Sequence, residues 1–412
     1  MTSDYLLIAI LIIVAVEFIL ERTLDYLNIK NQSRILPSEL KDIYDEDKYL
    51  KSLSYQAAQT SFSFITSGFS FFLTIAMLSF GGFGYLDIWL RTFIDNEILL
   101  ALAFFGLIFI ASDLLTLPFQ LYDTFVIEEK FGFNKTTITT FFADKIKGYL
   151  LAALFGAPIL WLLIFLIQTL GENFWIYFWI VISIVILGIN MFYTSLILPL
   201  FNKLVPLEDG SLKQAIQKYA ATVSFPLDNI YVIDGSKRSN KANAFFSGIG
   251  KKKKIVLYDT LIQNHTEDEL VAVLAHEVGH FKKKHIITSL VLSVLQIGLM
   301  LFIMSFIILN ENLSIALGAN ETGIHLNLIA FTILYAPISK ISGLVMNTIS
   351  RKNEFEADEY ATTTFGGSPL IEALKKLSVN NLSNLTPHKA YVFFHYSHPP
   401  LLQRLRAIEK IN

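Results

Sequence analysis

A chain of 412 residues with 53% hydrophobic content, 14% aromatic content and a mean hydropathy of +0.51 is too apolar for a water-soluble protein of this size. A net charge of −2 excludes electrostatic attraction to nucleic acid, and the absence of cysteine excludes disulfides, thiolate metal ligands and cysteine nucleophiles together.

Seven segments are long and apolar enough to cross ~30 Å of hydrocarbon. They lie near residues 5–21, 60–83, 98–118, 149–170, 174–200, 286–310 and 325–348. The first has no basic start and no small-residue cleavage site, and Glu17 interrupts its end, so it reads as a retained anchor and not as a signal peptide. The first loop carries Arg22, Lys30, Arg34, Lys41, Lys48 and Lys51, and the third carries Lys130, Lys135, Lys145 and Lys147. The second has only Arg91, and the fourth and sixth have no lysine or arginine. This alternation predicts an odd number of spans, with the N-terminus outside, the C-terminus in the cytosol, and residues 201–285 and 349–412 sharing the cytosolic face.

Between the fifth and sixth spans, a polar insert reads as a small α+β unit. Leu212 to Val223 has helical periodicity, and Asn229 to Ile233, Ala244 to Ser247 and Ile255 to Tyr258 read as short strands. Lys251 to Lys254 form a basic run between the last two, read as a solvated turn. Thr266 followed by Glu269 is a capping box opening a helix expected to continue towards the sixth span.

That helix carries Ala275-His276-Glu277-Val278-Gly279-His280-Phe281. At ~100° per residue the two histidines lie ~40° apart on one face and can reach a single metal, with Glu277 ~100° from His276, placed to hold a water. A catalytic zinc needs a third protein ligand. An extended motif with glycine at 283 and histidine at 286 is excluded, because those positions hold Lys283 and Ile286. His285 falls ~140° round the helix from His280 and reads as an interfacial histidine. A later helix supplies carboxylates instead: Glu354 and Asp358 share a face, so one can ligate while the other orients a ligand histidine, whereas Glu356 lies ~200° from Glu354 and faces away. His398, fixed ahead of Pro399-Pro400, is suited to a developing oxyanion.

The chain closely resembles the type I CAAX prenyl endopeptidases, integral-membrane zinc metalloproteases. The resemblance runs through Leu117-Pro118-Phe119, Tyr122 to Lys130, Gly132-Phe133-Asn134, Phe201-Asn202-Lys203, Asp234 to Ser239, Asn243 to Phe246, Ile255 to Leu261, the zinc helix, Glu354-Phe355 with Ala357-Asp358, and His395 to Pro400. It implies His276, His280 and Glu354 as ligands of one Zn2+ per chain and Glu277 as the base. It also implies His398 as oxyanion stabiliser, Arg404 as a partner beside the glutamate ligand with Asp358 behind a ligand histidine, and Asn243, Ala244, Phe245 and Phe246 as the edge strand that takes the substrate peptide. Seven helices around a water-filled chamber are part of the same implication. Phe131 departs from a histidine associated with eukaryotic members, and Ile411-Asn412 offers no dilysine retrieval signal; with the lysine-, isoleucine- and asparagine-rich usage, both lean towards a bacterial inner membrane over the endoplasmic reticulum.

The expected fold is mainly α: a seven-transmembrane-helix bundle with a small cytosolic α+β zinc metalloprotease domain, divided into residues 1–200 and 201–412. The expected function is a zinc metalloendopeptidase acting on the C-terminus of prenylated proteins. The alternatives are a membrane quality-control protease without prenyl specificity, and a transporter or scaffold with a vestigial metal site, for which Glu17 and Asp113 within apolar spans would speak.

Overall fold

The computed structural model describes residues 2–42, 45–227, 229–247 and 254–411. The first half is helical: α1 (Ser3–Lys30), α2 (Glu46–Ser79), α3 (Gly82–Arg91), α4 (Glu97–Tyr122), α5 (Ile138–Leu151), α6 (Ala157–Leu170), α7 (Phe174–Phe192) and α8 (Leu198–Phe201). Polar caps fix several starts. Asp45 accepts from the Lys48 N–H to open α2, Asn96 accepts from Ile98 and Leu99 to open α4, and Thr137 accepts from Thr140 to open α5. Wider π turns at Asp123–Glu128, Ala152–Gly156 and Tyr193–Ile197 join these helices without ending them. Gly171, at φ +53°, does end α6, and a short 3-10 turn leads directly into α7.

The second half begins with β1 (Leu204–Pro206), α9 (Ser211–Thr222), β2 (Asn229–Ile233), β3 (Ala244–Ser247), β4 (Lys254–Tyr258), α10 (Asp259–Asn264) and α11 (Glu267–Lys282). It continues with α12 (His285–Ser305), α13 (Glu311–Ala316), α14 (Ile324–Thr364), α15 (Gly367–Asn380), α16 (Lys389–His395) and α17 (Leu401–Glu409). The strands form one sheet in the order β1-β2-β4-β3. β2 and β4 pair in parallel, while β1 and β3 flank them antiparallel, so β3 is an edge strand. β1 has three residues, too few to show an alternation in the sequence, and was not expected. Of the basic run Lys251 to Lys254, read as a solvated turn, Lys251 to Lys253 lie outside the described residues, and Lys254 opens β4.

Among the described residues six helical runs are long and apolar enough to cross a membrane: Ser3–Lys30, Glu46–Ser79, Glu97–Glu128, Ile138–Phe201, His285–Ser305 and Ile324–Thr364. The fourth run contains two of the expected spans and is broken at Gly171. Only 6–17% of the residues in the apolar windows of these runs are buried within the chain. Helices so apolar and so little covered need hydrocarbon around them. Glu17 and Asp113 are both partnered within the bundle, Glu17 by Lys340 at 3.7 Å and Asp113 by Lys145 at 2.7 Å and by Tyr149.

The buried centre of the second half surrounds α11, whose Leu270, Val271, Leu274, Ala275 and Val278 meet Ile216 and Tyr219 of α9, Ile255 and Leu257 of β4, and Leu370 of α15. Leu40 and Tyr49, from the first loop and the start of α2, sit in the same cluster. The α+β portion is therefore not closed off from the N-terminal half. One expectation fails here. The helix carrying the two histidines does not run on into the sixth span: Lys284 takes a left-handed conformation, φ +62°, and α12 starts afresh at His285. Three successive lysines, Lys282 to Lys284, offer no apolar face to bury at that point, so nothing holds the helix straight through it.

Candidate active site

α11 opens with the expected reciprocal cap: Thr266 Oγ1 accepts from the Glu269 N–H and Glu269 accepts from the Thr266 N–H at 3.0 Å. Three turns later His276 and His280 project from one face, their Nε2 atoms 3.1 Å apart. α14 crosses this face closely because residue 279 is glycine. A Cβ there would lie 3.0 Å from the Ala357 Cα and 3.1 Å from its carbonyl oxygen. This approach brings Glu354 in, with Oε1 3.2 Å from His280 Nε2 and Oε2 3.5 Å from His276 Nε2.

The surrounding groups orient this trio. Asp358, one turn beyond Glu354, accepts from His276 Nδ1 at 2.8 Å and leaves Nε2 on the side of Glu354. Arg404 of α17 donates to both Asp358 oxygens, at 2.7 and 2.8 Å, and stands 3.4 Å from Glu354 Oε2. His398 Nε2 lies 3.3 Å from Glu354 Oε1. The segment bearing it is held by Arg351, which donates to the carbonyls of Val392 and Tyr396 at 3.2 and 2.6 Å.

The Glu277 side chain lines a cavity of about 390 Å³ with His276, His280, Glu354, His398 and Arg404. Burial raises its carboxyl above the usual range, against the pull of the two histidines, which moves it towards the operating pH of a general base. The cavity's wall includes Ala242, Asn243 and Ala244, together with Leu261, Val273 and Leu370. A second cavity of about 670 Å³ shares His280, Glu354 and His398 and extends between Ile189, Ile286 and Leu290 of the membrane helices.

The donor set fits a cation. The three ligand atoms lie within 4.8 Å of one another, and Glu354 Oε2 is buried without a hydrogen bond. The two imidazole Nε2 atoms stand 3.1 Å apart and face different oxygens of Glu354, at 3.2 and 3.5 Å, so all three residues converge on one point, as the ligands of a single ion must. In the metal-free chain a proton takes the place of the positive charge: burial opposes it, but the Asp358 carboxylate bonded to His276 and the Glu354 carboxylate beside it prevail and push the imidazole up to about 9.

One expectation is corrected. His285 is buried, not interfacial, with Nδ1 3.0 Å from His280 Nδ1. Glu356 faces away from Glu354 but accepts from His285 Nε2 at 3.1 Å. The break at Lys284 is what turns His285 back, and no periodicity could have announced it. Asn381 was also missed: its amide pairs with the backbone of Ala242, accepting from the N–H at 3.2 Å and donating to the carbonyl at 3.3 Å, just ahead of the edge strand.

Such a fold and site define a multi-pass membrane metallopeptidase. Residues 25–203 match the CAAX prenyl protease N-terminal family, described as five membrane helices, and residues 206–412 match peptidase family M48. The chain belongs to peptidase family M48, in its CAAX prenyl protease branch. It is 38% identical to the CAAX prenyl protease 1 homolog of Arabidopsis thaliana, over 91% of this chain and 90% of that one. It is 34% identical to CAAX prenyl protease 1 of Saccharomyces cerevisiae, over 92% and 89%. The crystal structure of S. mikatae Ste24p superposes with a TM-score of 0.93 at 33% identity, covering 98% of this chain and 99% of that one.

Proposed function

We propose that this metallopeptidase cleaves near the C-terminus of prenylated proteins, using one zinc ion held by His276, His280 and Glu354. The observation that carries this is the convergence of those three groups within 4.8 Å, below an edge strand and at the end of membrane helices. The names of its relatives, CAAX prenyl proteases, supply the substrate class.

The substrate backbone adds to the free edge of β3, along Asn243, Ala244, Phe245 and Phe246, which places the scissile bond over α11. Bound zinc supplies Lewis acidity, lowering the pKa of water and polarising the carbonyl. Glu277 takes the proton of the attacking water and passes it to the leaving amine. His398 donates to the carbonyl oxygen as it gains charge. Asp358 holds the His276 ring in the tautomer whose Nε2 is free to ligate, and Arg404 neutralises the paired carboxylates.

The chain is proposed to cross the membrane seven times, the run Ile138–Phe201 doubling back at Gly171. Loop charge then puts the active site on the cytosolic side. The division into residues 1–200 and 201–412 is supported by the two family matches, which meet between residues 203 and 206.

Glu277→Ala tests the chemistry. Peptide cleavage is expected to fall by at least ~100-fold while one zinc per chain is retained. Undiminished cleavage by the variant would overturn the assignment.

A further inference from the structure

We propose that His285 and Glu356 form a relay that positions His280 for metal binding without touching the metal. The inference rests on the reading that His276, His280 and Glu354 hold the ion. It starts from an asymmetry between the two histidines. His276 is backed by a carboxylate directly, through Asp358 at 2.8 Å. His280 has no carboxylate at its Nδ1; it has the ring of His285, Nδ1 to Nδ1 at 3.0 Å. His285 in turn reaches Glu356 Oε2 through its Nε2 at 3.1 Å.

Only one distribution of protons satisfies every member of this chain with His280 Nε2 left free to ligate. His280 carries its proton on Nδ1 and donates it to His285 Nδ1; His285 carries its proton on Nε2 and donates it to Glu356. The negative charge of Glu356 is thereby passed through one imidazole to the ligand, as Asp358 does for His276 without an intermediary. The relay crosses three elements: His280 ends α11, His285 begins α12 after the left-handed Lys284, and Glu356 belongs to α14. A histidine that merely filled the α11–α12 junction would have no need to face a ring nitrogen on one side and a carboxylate on the other. His285 is nonetheless 6% exposed, so its packing must be separated from its hydrogen bonds in any test.

Purified full-length chains carrying His285→Leu, His285→Asn and His285→Gln separate the two roles. Asparagine can set its Oδ1 where the imidazole Nδ1 was and still accept from His280, whereas glutamine places its amide further out and leucine accepts nothing. Zinc affinity is measured by competition with a chromogenic chelator, and ligand geometry by the visible absorption bands of the cobalt(II)-substituted protein. The relay predicts a loss of about 10- to 100-fold in zinc affinity and altered cobalt bands for His285→Leu, with most of both recovered in His285→Asn. Wild-type affinity and an unchanged cobalt spectrum in His285→Leu would overturn the relay while leaving the ligand set intact. If the leucine variant does not fold, the asparagine and glutamine variants decide: tighter zinc binding by asparagine supports the relay, and equal binding overturns it. Absence of zinc binding by the unaltered chain would overturn the metal site and the relay together.

Discussion

At the scale of single residues the site is a cluster of charges whose balance depends on a cation. Arg404 is buried and serves two carboxylates, Asp358 directly and Glu354 at 3.4 Å, so neither acid stands alone in a low-dielectric interior. Glu354 has one oxygen, Oε2, buried without a hydrogen bond. Glu354→Gln is therefore expected to lose most of its zinc at limiting metal, which elemental analysis of the purified variant would show; full retention would mean that another group ligates. The His276 imidazole, pushed up to about 9 from an ordinary 6.5 in the metal-free chain, sets the pH dependence. Its folded-state value is raised, so its stabilising contribution is fully present below pH 6.5 and is lost as pH rises through 9. The metal-free protein should lose on the order of 3 kcal/mol over that window, visible as a falling thermal midpoint in detergent. Zinc must displace the same proton, so apparent zinc affinity should weaken about tenfold for each pH unit below 9. A flat affinity between pH 7 and 9 would contradict this.

At the scale of elements, the decisive contact is the crossing of α11 and α14. Neither helix holds a metal alone: one offers two imidazoles and the other a carboxylate, and their separation at residue 279 decides whether the three meet. A methyl group at this position would sit 3.0–3.1 Å from backbone atoms of Ala357, tighter than ordinary contact, so α14 must shift by a few tenths of an ångström. Gly279→Ala is expected to weaken zinc binding about tenfold or more, while costing about 1–3 kcal/mol of stability. The measurement is a zinc titration paired with a thermal unfolding curve. Unchanged zinc affinity would show that Glu354 has enough side-chain freedom to follow the ion.

At the scale of the whole molecule, the prediction concerns sidedness. On the proposed topology the basic first and third loops would put α9 and α11 in the cytosol and the turn before α4 on the opposite side. The chain has no cysteine, so single cysteines at Asp95 and Lys218, both exposed, can be labelled without background. In sealed right-side-out vesicles an impermeant maleimide should modify position 95 and spare position 218 until the membrane is permeabilised. Labelling of both from one side would require an even number of crossings between them and would remove the doubled-back arrangement at Gly171.

Much of this is legible in the sequence. Local patterns report local physics: apolar runs mark helices that need hydrocarbon, Thr266 with Glu269 marks a helix start, and a four-residue spacing puts His276 and His280 on one face. Glu354 was narrowed to a pair with Asp358 by the same reasoning, and the family resemblance selected between them. What the sequence could not carry was any fact depending on two elements meeting. The left-handed Lys284 has no signature in residue type, so His285 was projected along an unbroken helix and came out on the wrong side. The three residues of β1 gain their strand conformation only from the partner at β2, and Asn381 matters only because α15 ends beside Ala242. The sequence by itself determined the membrane class, the helix with its two imidazoles and the chemistry they permit, because each follows from spacing along one chain. Only the tertiary structure decided which groups stand behind those imidazoles, because hydrogen bonds form between atoms brought within about 3 Å, wherever their residues fall in the chain.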